Sequence, residues 1–402
     1  MKLLWHNDDF EVVEEERAIA KGSLNRGIIK KIPSNFIEKA EKILKAIGYN
    51  LEENKKNIKK TVKHDDLANF LFIRALLDYG GVAPSYIFER TMLDLYEKHP
   101  FLFKPKAPEW KYITNTVMEI FLLPIAGLHR TRFENIAKWW VNIIEFLLKE
   151  CEGDASNFFI RMAEKYDIDV NEPESLEEVH LKFEKEKRKE VFPYGDKNGR
   201  LMIALLSNSR RGFGVLKGVK PEHLKLFNVP VDSQVIRVCL NTGLVKFTYI
   251  ASKEYSVKVK GKEIKGQGIE IDKLPLVEIC QKALKAVADK LNVYPIDLDI
   301  YIWFIGALFC KRFGMFCWLC PLRTACKSVE RGYVGESRGV DWFRGCFSLG
   351  KPQLKTIPIL RTCKDCPDYV NNTCSRGENY KVIKEIKRDV LVALKNILCY
   401  SF

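Results

Sequence analysis

The chain of 402 residues is basic, with 66 Lys and Arg against 52 Asp and Glu and a formal net charge of +14. Its 47% hydrophobic and 29% charged residues are typical of a globular protein and exclude a disordered chain. The basic surplus favours a polyanionic partner such as nucleic acid, although a solvated basic surface would have the same composition. The apolar stretches are too short and interrupted to span a bilayer, so we expect a soluble, cytoplasmic protein with no membrane partner.

Helical periodicity dominates the first two thirds of the chain. The apolar spacing predicts one amphipathic helix over residues 36 to 60, a buried helix from Asp66 to Asp78, and further helices over 84 to 98 and 112 to 150. The last of these is expected to be interrupted at Pro124 and near Gly127, and a charged connection or exposed helix is expected over 170 to 200. The first of these helices ends in the run Lys55 to Lys60, which is more typical of a solvated face than of a binding site.

A basic segment rich in glycine runs from Ser209 to Lys220. Glycine lets a backbone approach a phosphate closely, and basic side chains add charge. The residues expected to bind nucleic acid here are Arg210, Arg211, Gly212, Gly214, Lys217 and Lys220.

Asp232 stands at the predicted start of a helix, because Val235, Val238 and Cys239 follow it at helical spacing. A carboxylate at that position faces free backbone amides and the favourable end of the helix dipole. Two interpretations remain open: an ordinary helix cap, or a fixed carboxylate that acts in catalysis.

The composition changes between residues 245 and 272. Residues Val257 to Ile264 alternate with period two, and Gly261, Gly266 and Gly268 interrupt the pattern, which predicts a β-hairpin inserted between helices. Helical patterning resumes from Leu276 to Leu291.

Four cysteines, Cys310, Cys317, Cys320 and Cys326, are separated by six, two and five residues. A loop this compact can place a thiolate at each corner of one centre, and thiolates select iron–sulfur clusters or zinc. On ligand chemistry alone both centres remain open. The basic residues Lys311, Arg312 and Arg323 lie in the same loop and could face a phosphate backbone.

A second cysteine set follows, consisting of Cys346, Cys363, Cys366 and Cys374. Its compact C-x2-C-x7-C unit favours a zinc site or a second cluster, and the alternative is reduced cysteines without a ligand. Cysteines grouped in this way indicate metal ligation in a reducing compartment more than a disulfide framework.

The C-x6-C-x2-C-x5-C spacing, the apolar stretch Asp299 to Phe309 and the segment Val229 to Cys239 together resemble the endonuclease III family of DNA base-excision glycosylases. The resemblance implies a mainly α fold, with an endonuclease III-like helical core, the inserted β-hairpin and a [4Fe–4S] cluster on the first four cysteines. The expected segments are an N-terminal extension over 1–61, a helical core over 62–245, the hairpin and cluster region over 246–330, and a cysteine-containing module over 331–402.

The resemblance also implies an activity, namely hydrolysis of the N-glycosidic bond of a damaged or mispaired base in double-stranded DNA, with Asp232 as the catalytic carboxylate. It places a helix-hairpin-helix turn in the glycine-rich segment, where Gly212 and Gly214 could stand for the glycines of its G-x-G. The family's leucine-proline start and K-T-A tail are missing, and Lys217 is the nearest substitute for its strand-cutting lysine. We therefore expect a monofunctional enzyme.

Two other functions are compatible with the same features. The incomplete hairpin and missing lysine favour a non-catalytic iron–sulfur protein that binds DNA or RNA. An RNA-acting relative of the family is the other alternative.

Overall fold

The computed structural model describes residues 10–12, 20–46, 49–78, 85–126, 133–187, 192–249, 253–259, 262–268, 273–310 and 320–326. Over these residues the protein is mainly helical, as the sequence predicted. None of the helices in these ranges has the length and apolar character needed to cross a membrane.

The helices in chain order are α1 (Arg26–Lys31), α2 (Phe36–Ala46), α3 (Leu51–Thr61), α4 (His64–Leu77), α5 (Ser85–Lys98), α6 (Asn115–Ala126), α7 (Phe133–Glu150), α8 (Phe158–Tyr166), α9 (Ser175–Glu186), α10 (Asp196–Leu206), α11 (Pro221–Leu226), α12 (Ser233–Thr242), α13 (Lys273–Leu291) and α14 (Asp299–Phe304). A π-helical turn, Ile305–Phe309, continues α14. The strands are β1 (Phe10–Val12), β2 (Ala20–Leu24), β3 (Val245–Tyr249), β4 (Lys253–Val259) and β5 (Lys262–Gly268).

One predicted helix was wrong in its extent. The single helix expected over residues 36 to 60 is two helices, α2 and α3. The second begins at Asn50, whose side chain accepts a hydrogen bond from the backbone amide of Glu53 at 3.4 Å. A side-chain cap of this kind satisfies an amide that has no partner within the helix, and so it favours the start of a new helix directly after Asn50.

The chain divides into two compact units. The first comprises Met1–Ile43, Val231–Asn292 and Asp299–Val392, and the second comprises Leu44–Pro230, Val293–Leu298 and Ala393–Phe402. The four segments expected from the sequence stay a prediction.

The second unit has a large apolar core around α4. Twelve residues of this helix, Asp66 to Leu77, are buried, because its apolar side chains surround the axis instead of forming one stripe. Helix α10 packs against it. Aromatic rings extend the core, with Phe183 in edge-to-face contact with both Phe158 and Tyr194 at centroid distances of 5.1 and 4.5 Å.

The first unit combines the strands with α1, α12, α13 and α14. Strands β4 and β5 pair antiparallel with Val257 opposite Ile264, in the segment whose alternation predicted a hairpin, and β1 pairs with the other edge of β4. Strands β2 and β3 form a separate antiparallel pair. The ammonium group of Lys290, near the end of α13, donates to the carbonyls of Ile29, Lys30 and Ile32 and so satisfies the C-terminal end of α1.

Candidate functional site

Asp232 caps the start of α12 in the first unit. Its Oδ1 accepts hydrogen bonds from the backbone amides of Gln234 and Val235, at 2.8 and 3.1 Å. These amides have no partner within the helix, and the helix dipole favours a negative charge at this end. Local sequence therefore fixes the orientation of the carboxylate.

The other oxygen of Asp232 has a partner that sequence reasoning missed. The indole Nε1 of Trp303, on α14, donates to Oδ2 at 3.0 Å. A carboxylate has about four acceptor positions, and donors in the described part of the chain use three of them. Within the described residues one position on Oδ2 remains for a further donor, and the carboxylate is held from two sides.

Close packing between α12 and the π-helical turn brings Trp303 to Asp232. A Cβ atom added at Gly306 would lie 2.4 Å from the carbonyl oxygen of Gln234, so only glycine permits this approach. Arg237, 3% exposed, joins the two segments, because its Nη1 donates to Gln234 Oε1 at 2.6 Å and to the Gly306 carbonyl at 3.1 Å. The helix that positions the Asp232 carboxylate is therefore joined to the π-helical turn by close packing and by the hydrogen bond from Arg237 to Gly306.

Three of the four loop cysteines lie in the described residues as thiols: Cys310 and Cys326 are buried, and Cys320 is half-buried. Burial raises the pKa of Cys320 well above its usual value, and the charges of Cys310 and Cys326 raise it further. Burial and the charge of Cys326 likewise raise the pKa of Cys310 to about 12. The charges of these thiols thus affect one another, but among the described residues no three cysteine sulfurs lie within 4.8 Å of one another.

The C-terminal end of α12 contacts the cysteine loop. The Sγ of Cys326 donates to the backbone carbonyl of Asn241 at 3.6 Å, and Asn241 lowers the pKa of the Cys310 thiol. Arg237 adds a buried positive charge that opposes the rise in the pKa of Cys310. One helix of ten residues thus carries Asp232 at its start and contacts the thiol of Cys326 at its end.

Several predicted ligands and contacts lie outside the described residues. These are Cys317, Lys311 and Arg312 in the first loop, and Cys346, Cys363, Cys366 and Cys374 in the second set. Arg323 is described and half-buried, and its backbone amide donates to the carbonyl of Cys320 in the turn between two loop cysteines.

The glycine-rich segment lies in the second unit, between α10 and α11. It folds back on the end of α10, because the amides of Phe213 and Gly214 donate to the carbonyls of Leu205 and Ser207. Gly212 is buried, and a Cβ atom there would lie 2.0 Å from the carbonyl oxygen of Ser207. The tight turn of this segment therefore requires glycine for its own backbone packing, whether or not it also approaches a phosphate.

The basic side chains of this segment differ in exposure. Arg210, Lys217 and Lys220 are exposed, whereas Arg211 is 7% exposed and presents little surface to a ligand. Lys217 donates to Asn157 Oδ1 at 2.8 Å and pairs with Asp154 at 3.4 Å. Lys220 donates to Asn171 Oδ1 at 2.9 Å. The segment thus presents three of its four cations to solvent.

A buried ionic cluster in the second unit was not expected from the sequence. His180, Glu184 and Asp196 place one ligand atom each within 4.8 Å of one another, a geometry that could hold a metal ion. Arg200 already supplies a cation there, because its Nε donates to Asp196 at 2.7 Å and its two Nη atoms to Glu177 at 2.6 and 2.7 Å. We therefore interpret the cluster as a structural ion-pair network.

Trp303 and Asn241 could not be identified from the sequence for one shared reason. Trp303 meets Asp232 across 71 positions of sequence, and Asn241 meets Cys326 across 85. The weak local signal was the position of Trp303 on the apolar helix that leads into the cysteine loop. No protein-family model and no curated protein matches this sequence.

Proposed function

We propose that this chain has an endonuclease III-like core and is a monofunctional DNA glycosylase that hydrolyses the N-glycosidic bond of a damaged or mispaired base in double-stranded DNA. The observation that carries the proposal is the arrangement around α12. Among the described residues, three donors hold the carboxylate that begins the helix and leave it one acceptor position, and the buried thiol of Cys326 in the cysteine loop meets the other end of the helix.

The chemistry follows from the charge that develops during bond cleavage. As the N-glycosidic bond breaks, the base leaves with the bonding electron pair and the sugar carbon becomes positive. A fixed negative charge at Asp232 stabilises that cation without having to reorganise. The same carboxylate can accept a proton from the water whose oxygen attacks the sugar carbon. Solvent then protonates the departing base.

The contacts of Lys217 support the route through water. A lysine that cuts the strand must attack the sugar as a free amine, usually with a lowered pKa. Lys217 instead donates to Asn157 and pairs with Asp154, both within the second unit, as a cationic lysine does. Its position suits a phosphate contact at the surface better than a nucleophile.

The cysteine loop fits an iron–sulfur centre in its donor chemistry. The buried thiols of Cys310 and Cys326 and the half-buried thiol of Cys320 affect one another's pKa, and Arg237 places a positive charge near Cys310 that would balance a negatively charged cluster. Cys310, Cys317, Cys320 and Cys326 would hold the [4Fe–4S] group, which would supply a rigid cross-link of the loop and needs no redox change. Arg323, with Lys311 and Arg312, would then present its charge to DNA from a fixed position.

Iron content tests this assignment. Protein purified without added metal is expected to be brown and to contain about four irons per chain, because four thiolates hold one [4Fe–4S] cluster. Cys320→Ala should lose the colour and iron, since it removes one ligand. Cys151→Ala, which also replaces a buried thiol but lies in the second unit, should keep both. Colourless wild-type protein with one zinc would overturn the cluster assignment. A doubled iron count or one additional zinc would indicate a centre on the second cysteine set.

The hydrogen bond from Trp303 to Asp232 gives a separate test of the catalytic role. Trp303→Phe keeps the ring and removes the donor, and a hydrogen bond to a charged group is worth about 1.5–3 kcal/mol. We expect the single-turnover rate of base release to fall by about 10- to 100-fold.

Trp110→Phe is the matched control for this change. It also deletes a half-buried indole donor, which binds the Phe101 carbonyl at 2.9 Å in the second unit. Its rate should remain near that of wild type. Equal rates in both variants would show that Trp303 does not position the carboxylate.

A further inference from the structure

Helix α3 and the glycine-rich segment form one basic surface within the second unit. The Nζ of Lys55 donates to the backbone carbonyl of Arg210 at 3.3 Å. Lys55 and Lys59 each place Nζ 5.9 Å from the centroid of the Phe213 ring. The sequence favoured a solvated face for the lysine run of α3, but two of its members lie over the segment expected to bind nucleic acid.

Helix geometry divides the four lysines of α3 into two pairs that lie on different faces. Residues four apart lie on the same face, so Lys55 and Lys59 share the face that meets Phe213, while Lys56 and Lys60 point about 100° away around the axis. All four belong to one helix of 11 residues. The structure thus provides two lysine pairs of equal charge, one over the segment and one beside it.

The charge balance of the surface is positive. Its acidic neighbour in the described part of the chain is Asp297, 7% exposed, whose Oδ1 accepts the backbone amide of Arg210 at 2.6 Å. Burial raises the pKa of Asp297, and Lys55 and Arg210 act against that rise. Glu52 and Glu53 lie in the first turn of α3, so Glu52 is one helical turn from Lys55, whereas Lys59 and Lys60 lie in the last turn. The buried carboxylate of Asp297 therefore faces two cations, Lys55 and Arg210.

This concentration of charge is unfavourable by itself. Like charges four residues apart destabilise a helix, and here both lysines also converge on one aromatic ring. The ring partly compensates, because its face attracts cations. A phosphate placed between the ammonium groups would remove the remaining repulsion.

We infer that Lys55, Lys59 and Arg210, above Phe213, bind the phosphate backbone of duplex DNA, so that the surface used by the glycine-rich segment extends onto α3. The inference rests on the proposed function, since it names a further contact with the same substrate. Contacts of this kind position DNA and carry no sequence information. The partner class is double-stranded DNA, without preference for the base pairs bound.

The test compares two double variants of the full chain on an unmodified duplex. The dissociation constant is measured over a series of salt concentrations for wild type, K55A/K59A and K56A/K60A. Removing a lysine that binds a phosphate reduces the slope of log K against log salt by about one. We expect K55A/K59A to reduce it by about two and K56A/K60A to change it by less than about half a unit. Thermal melting of all three proteins checks that the helix is intact.

The outcomes separate this inference from the proposed function. Equal slopes for the two double variants would overturn the inference and leave the glycosylase proposal standing. A reduced slope in K55A/K59A with no base release from any lesion would keep the surface and overturn the glycosylase. Tighter binding of a duplex RNA of the same length would overturn the assignment to DNA, and failure of wild type to bind any duplex would overturn both.

Discussion

Replacement of Asp232 by Asn is expected to reduce base release by at least about 100-fold, because the amide loses the negative charge that would stabilise a cationic sugar. Asn and Asp cap helices about equally well, so the start of α12 should persist. The measurement is single-turnover excision on a panel of duplexes, each with one modified or mispaired base. Thermal melting close to that of wild type would assign the loss to chemistry.

Duplex binding provides the control for this experiment. Asp232→Asn should bind unmodified DNA at least as tightly as wild type, since it removes a negative charge and no cation. Base release from Asp232→Asn at the wild-type rate would refute the catalytic assignment. If wild-type protein binds duplex DNA tightly and excises nothing from a broad panel, the chain is a binding protein and its carboxylate is a helix cap.

Arg200→Met is expected to destabilise the protein by about 3–5 kcal/mol, the range found when one partner of a buried ion pair is removed. The Arg200 side chain is 2% exposed and contacts Glu177 and Asp196, which are 18% and 26% exposed. Methionine retains an apolar chain of similar length but leaves both carboxylates without their cation. Urea unfolding at neutral pH measures the difference in the free energy of unfolding.

The difference in the free energy of unfolding between wild type and Arg200→Met should decrease at acidic pH. Burial alone would raise the pKa of Asp196, but hydrogen bonds from His180 and Arg200 and the guanidinium charge lower it from 3.8 to about 2. A lowered pKa stabilises the folded protein above the unfolded value, and the benefit is lost as the pH falls through the folded value. The difference between wild type and Arg200→Met should therefore be full above about pH 4 and shrink towards pH 2.

Arg161→Met is the matched control. Arg161 is 41% exposed and pairs with Glu152 and Glu164 at the surface, where ion pairs contribute about 0–1 kcal/mol. If both methionine variants lose similar stability, the loss at Arg200 comes from the altered packing of a long side chain and not from its buried charges.

The sequence predicted local features well. The helix start at Asp232 follows from neighbouring residues alone, since a capping side chain bonds amides two and three positions away. The extents of α4 and α13 follow from apolar spacing in the same way. The sequence did not predict that α2 and α3 are separate helices. The apolar spacing continues from one into the other, but the side-chain cap at Asn50 favours a new helix there.

The composition of the candidate site could not be predicted in the same way. Arg210 and Arg211 are adjacent and chemically alike, yet one is exposed and the other is buried. Trp303 and Lys55 gain their roles from partners 71 and 155 positions away. Such contacts between distant residues depend on how the helices pack, and the packing cannot be read from a single sequence.

The number of residues between Trp303 and Cys310, which includes the π-helical turn, determines how these two side chains are oriented relative to each other. Trp303 must reach one end of α12, and the cysteine loop that begins at Cys310 must reach the other end through Cys326, so the rotation between Trp303 and Cys310 has to match. Deleting one residue would turn everything downstream by about 100° around the axis, and Asp232 and the cysteine loop could not both keep their partners. Substitutions in this segment, apart from those at Gly306, can therefore be absorbed more readily than a change of a single residue in its length.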